Sequence, residues 1–340
     1  MKAAFVTDLK KVEIREIEKP QITPDQVLIK TYTAGVCGSD LHLFLGSHPF
    51  RKAPAILGHE IAGEIVEVGS NVTNLKVGDR VTVEPQLGCG KCHFCYEGNE
   101  NLCLQKSVPG TPKWVGTFVE YFPAPACKTY KLADNVSYEV GTLIEPLAVA
   151  VHALHRIDTG TAGKNLLILG AGTVGLLALA VAKAQGYTNI ICTDTAEYNR
   201  EMALKFGAHY ALDPLKEDVV ARVKEITGGV GVDASLVCAG APNIIDQASS
   251  CTKKQGLVGL VAMITKNIPV YTYGFVFNEQ KLIGSMTYAH KYFAEAVELV
   301  NNGLDLKDYV TQVFPLDKAQ DALACLAEKK EHVIKVLVKP

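Results

Sequence analysis

The 340-residue chain has no uninterrupted apolar run long enough to cross a bilayer. The nearest candidate, Leu166 to Ala182, is broken by Gly170, Gly172 and Gly175 and reads as strand, turn and helix. A block of basic residues is also missing. Lys and Arg number 34 against 36 Asp and Glu, for a formal net charge of −2, which argues against nucleic acid as a partner. The first residues, Met1-Lys-Ala-Ala-Phe-Val-Thr-Asp8, lack the apolar centre of a secretory leader. Ten cysteines in such a chain point to metal ligation and free thiols, not disulfides. Internal repeats and low-complexity tracts are absent as well. The expectation is a cytoplasmic protein without a membrane or nucleic-acid partner. Its length calls for two domains, since single cores rarely grow beyond about 250–300 residues.

The most informative stretch is Leu166-Leu-Ile-Leu-Gly-Ala-Gly-Thr-Val-Gly175. A short continuous apolar run is how a strand buried on both faces of a parallel sheet reads. The glycine turn that follows opens an apolar helix. Gly170 permits the tight turn, Gly172 lets the backbone approach a pyrophosphate, and Gly175 lets helix and strand pack closely. A Gly-x-Gly-x-x-Gly alone is weak, but the next strand, Asn189 to Asp194, ends in an acid 19 residues beyond Gly175. That is where a ribose-binding carboxylate falls. Gly170, Gly172, Thr173, Val174, Gly175 and Asp194 are therefore candidate dinucleotide contacts. Asp194 favours NAD, because a carboxylate accepts from both ribose hydroxyls and repels a 2′-phosphate. Arg200 lies close enough to count in the other direction.

Around this unit the chain changes character. Residues 2–85 are strand-rich and read as a β-barrel-like domain. Residues 86–105 carry Cys89, Cys92, Cys95 and Cys103 with three glycines and few apolar residues. Such a lobe cannot bury enough surface to hold itself together, and four thiolates around zinc supply the missing stability. An iron–sulfur cluster is the rival reading, since its ligand runs share the two-residue gaps. The final gap of seven without a following proline favours structural zinc. His93 sits inside the lobe and reads as a solvated side chain. Beyond residue 195 strands and helices alternate, as in a doubly wound parallel sheet. The expected division is 1–145 for a first domain, 146–288 for the cofactor domain, and 289–340 returning to the first.

Three further words complete the picture: Gly35-Val-Cys37-Gly-Ser-Asp-Leu-His42, Gly58-His59-Glu60 and Glu145-Pro-Leu. With the glycine turn and the four-cysteine lobe, they resemble the zinc-dependent medium-chain dehydrogenase/reductase family over essentially the whole chain. Glu145-Pro-Leu is similar to its polyol (sorbitol-type) branch. The resemblance implies an α/β chain with a GroES-like catalytic domain and a Rossmann domain, two zincs per chain, NAD, and a homodimer or homotetramer. It implies that Cys37 and His59 are catalytic zinc ligands and that Glu60 or Glu145 is the third. It further implies that Ser39 starts a proton relay ending at His42, and that Asp40 orients His59 from behind. A secondary alcohol is a very weak acid, and zinc lowers the pKa of an oxygen it binds by roughly seven or more units. The implied substrate is a small polyhydroxy compound. A vicinal-diol or threonine-type dehydrogenase is the nearest alternative, and a non-catalytic zinc or redox sensor is the reading from another class. Two words depart from the branch. Thr287 stands where an arginine often holds the polyol, and Asn199, followed by Arg200, stands where a basic residue commonly follows the ribose aspartate.

Overall fold

The computed structural model describes residues 1–340 apart from 49–50, 159, 161–163 and 329–331. The chain forms two compact units, Pro146–Tyr288 and Met1–Glu145 with Ala289–Pro340.

In the unit Pro146–Tyr288 six strands lie parallel. Their order is Tyr210–Leu212, Asn189–Thr193, Asn165–Leu169, Val232–Val237, Thr252–Leu260 and Lys281–Gly284. The first strand in sequence, Asn165–Leu169, is central, and the chain winds outward from it in both directions. The strand order therefore reverses beside the end of Asn165–Leu169, which is the switch point where doubly wound sheets bind ligands. Leu166, Leu167 and Ile168 are fully buried. The helix Thr173–Ala184 is buried at every position from Gly175 to Ala182, which is why it is apolar all round and lacks an amphipathic stripe. The helix Val219–Ile226, capped by Asp218, and the short helix Thr272–Asn278 are additional elements of this unit.

The other unit is built on strand Gln26–Val36. It pairs antiparallel with Glu60–Val68, Tyr121–Pro125 and the C-terminal strand Lys335–Lys339. Arg80–Val83, Thr129–Lys131 and Val310–Pro315 complete this sheet, and Lys11–Glu16, Lys2–Asp8 and Ala55–Ile56 form a second, smaller one. Side chains alternating along these strands meet in one core that includes Ile29, Ile61, Ile65, Phe118, Phe122 and Val336. Trp114 packs there too, its ring 5.7 Å from that of Phe122 and its indole N–H donating to Pro123 O at 2.9 Å. Trp114 and Phe118 are thus core residues.

Candidate functional site

Antiparallel pairing brings the first ligand group together. Strand Gln26–Val36 delivers Cys37 at its end, and the neighbouring strand starts at Glu60, directly opposite Gly35. Cys37, His59 and Glu60 each offer a ligand atom, all within 4.8 Å of one another. Two glycines make this possible. A Cβ on Gly35 would lie 1.7 Å from Glu60 Oε2, and one on Gly58, at φ +88°, would lie 2.3 Å from Thr117 Oγ1. Asp40 lies beneath them, wholly buried. It accepts from the backbone N–H groups of Cys37 at 3.1 Å and Gly58 at 3.3 Å.

The electrostatics of this group call for a cation. Glu60 has no exposure, and among the described residues its oxygens have no hydrogen-bond donor other than Lys335; His59 Nδ1 has no hydrogen-bond partner among them. At 3.7 Å the His59–Asp40 approach is ionic, too long for a hydrogen bond. Burial pushes the His59 pKa down, but the charges of Asp40 and Cys37 outweigh it and hold the imidazole well above its ordinary value. Lys335, only 2 % exposed, pairs with Glu60 Oε2 and donates to Val36 O at 3.1 Å. Burial opposes its charge, and Glu60, then Cys37, restore it, so its pKa is raised. A thiol, an imidazole and a buried carboxylate are the donor types zinc takes, and three of them leave a fourth position open. The residues present fit a catalytic zinc. Glu145 is buried in the first turn of helix Ile144–Arg156 and lies outside this group of three, although its charge acts on Lys335.

Ser39 and His42 share the helix Gly38–Phe44, but no direct hydrogen bond joins them among the described residues. Ser39 Oγ accepts from Arg51 Nη2 at 3.2 Å, while His42 Nδ1 faces Ser47 Oγ at 2.9 Å.

The four cysteines of the lobe also converge, their sulfurs within 4.8 Å of one another. All ten cysteines are free. Backbone N–H groups of Cys89 and Gln105 each point at Cys103 Sγ from 3.4 Å. These donors, that of Cys89 foremost, draw the Cys103 thiol down to about 7. Leu104 and Tyr96 are exposed, so the lobe has little apolar core of its own, and a tetrahedral set of four thiolates fits structural zinc. Glu100 links it to the sheet, accepting from Gly88 N at 3.1 Å and from buried Lys128 at 2.8 Å. Lys128 also donates to buried Glu84 at 3.2 Å, and His290 meets that carboxylate at 2.6 Å. His93 is exposed and faces Glu97 at 3.3 Å.

The glycine turn carries a different geometry at each glycine. Gly170 sits at φ +103°, and a Cβ there would lie 2.6 Å from the Ala239 Cβ. A Cβ on Gly175 would lie 1.9 Å from Gly170 O, whereas one on Gly172 would meet nothing within 4 Å. Gly172 is also the N-cap of helix Thr173–Ala184, with no side-chain cap. The first turn of a helix leaves its N–H groups without intrahelical acceptors, and the open space at Gly172 leaves room there for a pyrophosphate. Asp194 closes the turn, accepting from Ala171 N and Ala196 N at 2.9 Å each and from Asn199 Nδ2 at 3.1 Å. Arg200 is committed elsewhere: it donates to the carbonyls of Asp194 and Thr195 and pairs with Asp213 at 3.0 Å.

Three residues that sequence reasoning missed are Gly35, Arg51 and Lys335. Each acts across a fold contact, and only the Gly35-Val-Cys37 word offered a signal.

Residues 23–134 match the alcohol dehydrogenase GroES-like domain and residues 173–302 the zinc-binding dehydrogenase domain. The chain is 38% identical over 346 residues to the sorbitol dehydrogenase of Bacillus subtilis, covering 100% of this chain and 97% of the relative. It is 33% identical over 334 residues to the L-threonine 3-dehydrogenase of Pyrococcus furiosus, covering 96% and 95%. The crystal structure of 2R,3R-butanediol dehydrogenase from Bacillus subtilis superposes with a TM-score of 0.92 at 34% identity, covering 100% of this chain and 99% of that one. The cofactors of such a chain are zinc and NAD(H). No helix among the described residues is long and apolar enough to cross a membrane. The chain belongs to the zinc-dependent medium-chain dehydrogenase/reductase family, in its polyol dehydrogenase branch.

Proposed function

We propose that the chain oxidises a secondary alcohol of a small polyhydroxy compound, a sugar alcohol, cyclitol or sugar phosphate, to the ketone. The names of its relatives, sorbitol dehydrogenase and butanediol dehydrogenase, support this class. The observation that carries it is the convergence of Cys37 and His59 on buried Glu60, with the three ligand atoms all within 4.8 Å of one another. Zinc, when bound, supplies Lewis acidity at the alcohol, and NAD takes up the hydride.

The residues do the rest. Cys37, His59 and Glu60 hold the metal, with Asp40 fixing His59 and Glu145 adding charge that Lys335 offsets. Ser39 takes the proton from the alcohol, and His42, half-exposed, serves as the outer base. The turn Gly170–Gly175 receives the pyrophosphate. Asp194 binds the adenosine ribose, with Asn199 and Arg200 shaping its loop, and the choice is NAD. The units act as a catalytic domain, residues 1–145 and 289–340 with a zinc lobe at 86–105, and a NAD-binding domain, residues 146–288. We also propose a homodimer or homotetramer in the cytoplasm. The outermost strand Lys281–Gly284 leaves Leu282 exposed, and Tyr271, Tyr273, Val276 and Phe277 are exposed in the same unit, an apolar surface that association would cover. The free cysteines suit a reducing compartment.

A panel of polyols, sugar phosphates, diols and threonine, followed by NADH absorbance, tests the reading. Turnover of a polyhydroxy substrate is expected, and Cys37→Ser abolishes it while NAD binding persists. A Cys37→Ser variant that keeps the wild-type rate rules the reading out.

A further inference from the structure

The guanidinium of Arg51 is an unfinished site. Its side chain is 16 % exposed, and a guanidinium carries five N–H donors and no acceptor. Nη2 donates to Ser39 Oγ at 3.2 Å. Nη1 is buried and has no hydrogen-bond partner among the described residues. The nearest carboxylate oxygen, Asp40 Oδ1, is 3.9 Å away, and it already serves Gly58 N and His59.

Nε is no better placed. It faces His48 Nε2 at 3.2 Å, while the same imidazole takes the backbone N–H of Arg51 at Nδ1, 2.9 Å away. A neutral imidazole has one acceptor nitrogen. Burial, then the charge of Arg51, hold the His48 pKa down to about 4, so the ring is neutral. The ring therefore accepts from only one of the two, the backbone N–H or Nε. Among the described residues, a second hydrogen on Nη2 and both on Nη1 are left without an acceptor. The space beside Nη1 is kept by Gly110, at φ +79°, where a Cβ would come to 3.3 Å from that nitrogen.

We infer that Arg51 binds an oxyanion carried by the substrate, a phosphate monoester or a carboxylate, and thereby selects anionic polyols over neutral ones. The inference rests on the polyol dehydrogenase reading and narrows its substrate class. Nη1 and Nη2 form the open end of a planar fork that matches two oxygens of such a group with charge-assisted bonds. Hydroxyl groups of a neutral polyol would meet the N–H groups and leave the charge with only the 3.9 Å approach of Asp40 to offset it. Because Nη2 also holds Ser39, the residue placed next to the reacting alcohol, the anion lies on a short substrate, a few carbons from the carbon oxidised.

The test compares kcat/KM for one polyol, its phosphate monoester and the corresponding sugar acid in wild type, Arg51→Met and Arg51→Lys. Wild type is expected to prefer one of the two anions by at least about tenfold, and Arg51→Met to bring that ratio close to one. Arg51→Lys retains part of it. The anion with the larger ratio identifies the group. Arg51→Met lowering all three substrates equally overturns the inference, since that is the outcome if Arg51 only holds Ser39. So does a wild type that favours the neutral polyol. Calorimetric titration of inorganic phosphate into the NAD-bound zinc enzyme gives a second readout. Binding that disappears in Arg51→Met supports the anion site, and no binding, or binding unaltered by the substitution, counts against it. Phosphate binding through Arg51 without turnover of any polyol would retain the anion site and overturn polyol oxidation. Turnover of neutral polyols without phosphate binding would do the reverse.

Discussion

Replacing Lys335 by Met separates the protein's response to zinc from its response to any other buried contact. Lys335 pairs with Glu60 Oε2, and both side chains are almost without exposure, at 2 % and 0 %. In zinc-free protein the substitution leaves a buried carboxylate without a countercharge. Breaking one side of such a pair costs about 3–5 kcal/mol. At roughly 2–4 °C per kcal/mol for a unit of this size, the melting temperature falls by about 6–20 °C. With zinc bound the metal supplies the positive charge, and the drop is less than half as large. By linkage the difference between the two drops is a gain in zinc affinity, and about 2 kcal/mol corresponds to roughly thirtyfold tighter binding. Differential scanning of wild type and Lys335→Met, with zinc and after chelation, measures both drops. The rate of zinc transfer to a chromogenic chelator checks the affinity. Equal drops with and without zinc, or faster zinc loss from the variant, would refute the placement of Glu60 on the metal.

Gly175→Val places a side chain where even a Cβ lies 1.9 Å from Gly170 O. Helix and turn must part, and NADH affinity by fluorescence titration falls by more than about tenfold; unchanged affinity contradicts the cradle. His48 carries a pH signature, because its folded pKa is depressed from 6.5 to about 4. Between those values the unfolded chain takes up a proton that the folded chain refuses, so stability falls as pH falls through the window. His48→Gln should flatten the urea midpoint of the catalytic unit over that range, and a slope identical to wild type would show that His48 is not held neutral. Lys128→Met leaves buried Glu84 with His290 and half-buried Glu100 with Gly88 N, and lowers stability by about 2 kcal/mol, short of the cost of a wholly uncompensated buried charge, with protease cutting inside residues 86–105 as the readout. A variant as resistant as wild type disproves the anchoring of the lobe.

What could be read from the sequence was local. The Cys89–Cys103 spacing and the Gly170–Gly175 turn declare their geometry within a few residues, because a loop or a strand-to-helix turn has few ways to place such groups. The central strand Asn165–Leu169 and its helix were legible for the same reason. Strand Tyr210–Leu212 and helix Thr272–Asn278 were not, being too short to show a period. At the site, Gly58-His59-Glu60 gave the ligand types, but the pattern left Glu60 and Glu145 equivalent. Strand pairing separates them, putting Glu60 opposite Gly35 and beside Cys37. Lys335 reaches Val36 from 299 residues away, and no spacing rule spans such a distance. Arg200 is the converse: its position allowed a phosphate contact, and nothing in the sequence signalled its bonds to the Asp194 and Thr195 carbonyls or its ion pair with Asp213.

Zinc content is the most direct check on the whole account. Elemental analysis of the purified chain should give two zincs, and Cys37→Ser and Cys103→Ser should each give one. A single zinc in wild type that Cys37→Ser retains, or two still present in Cys37→Ser, would contradict the assignment of a metal to Cys37, His59 and Glu60.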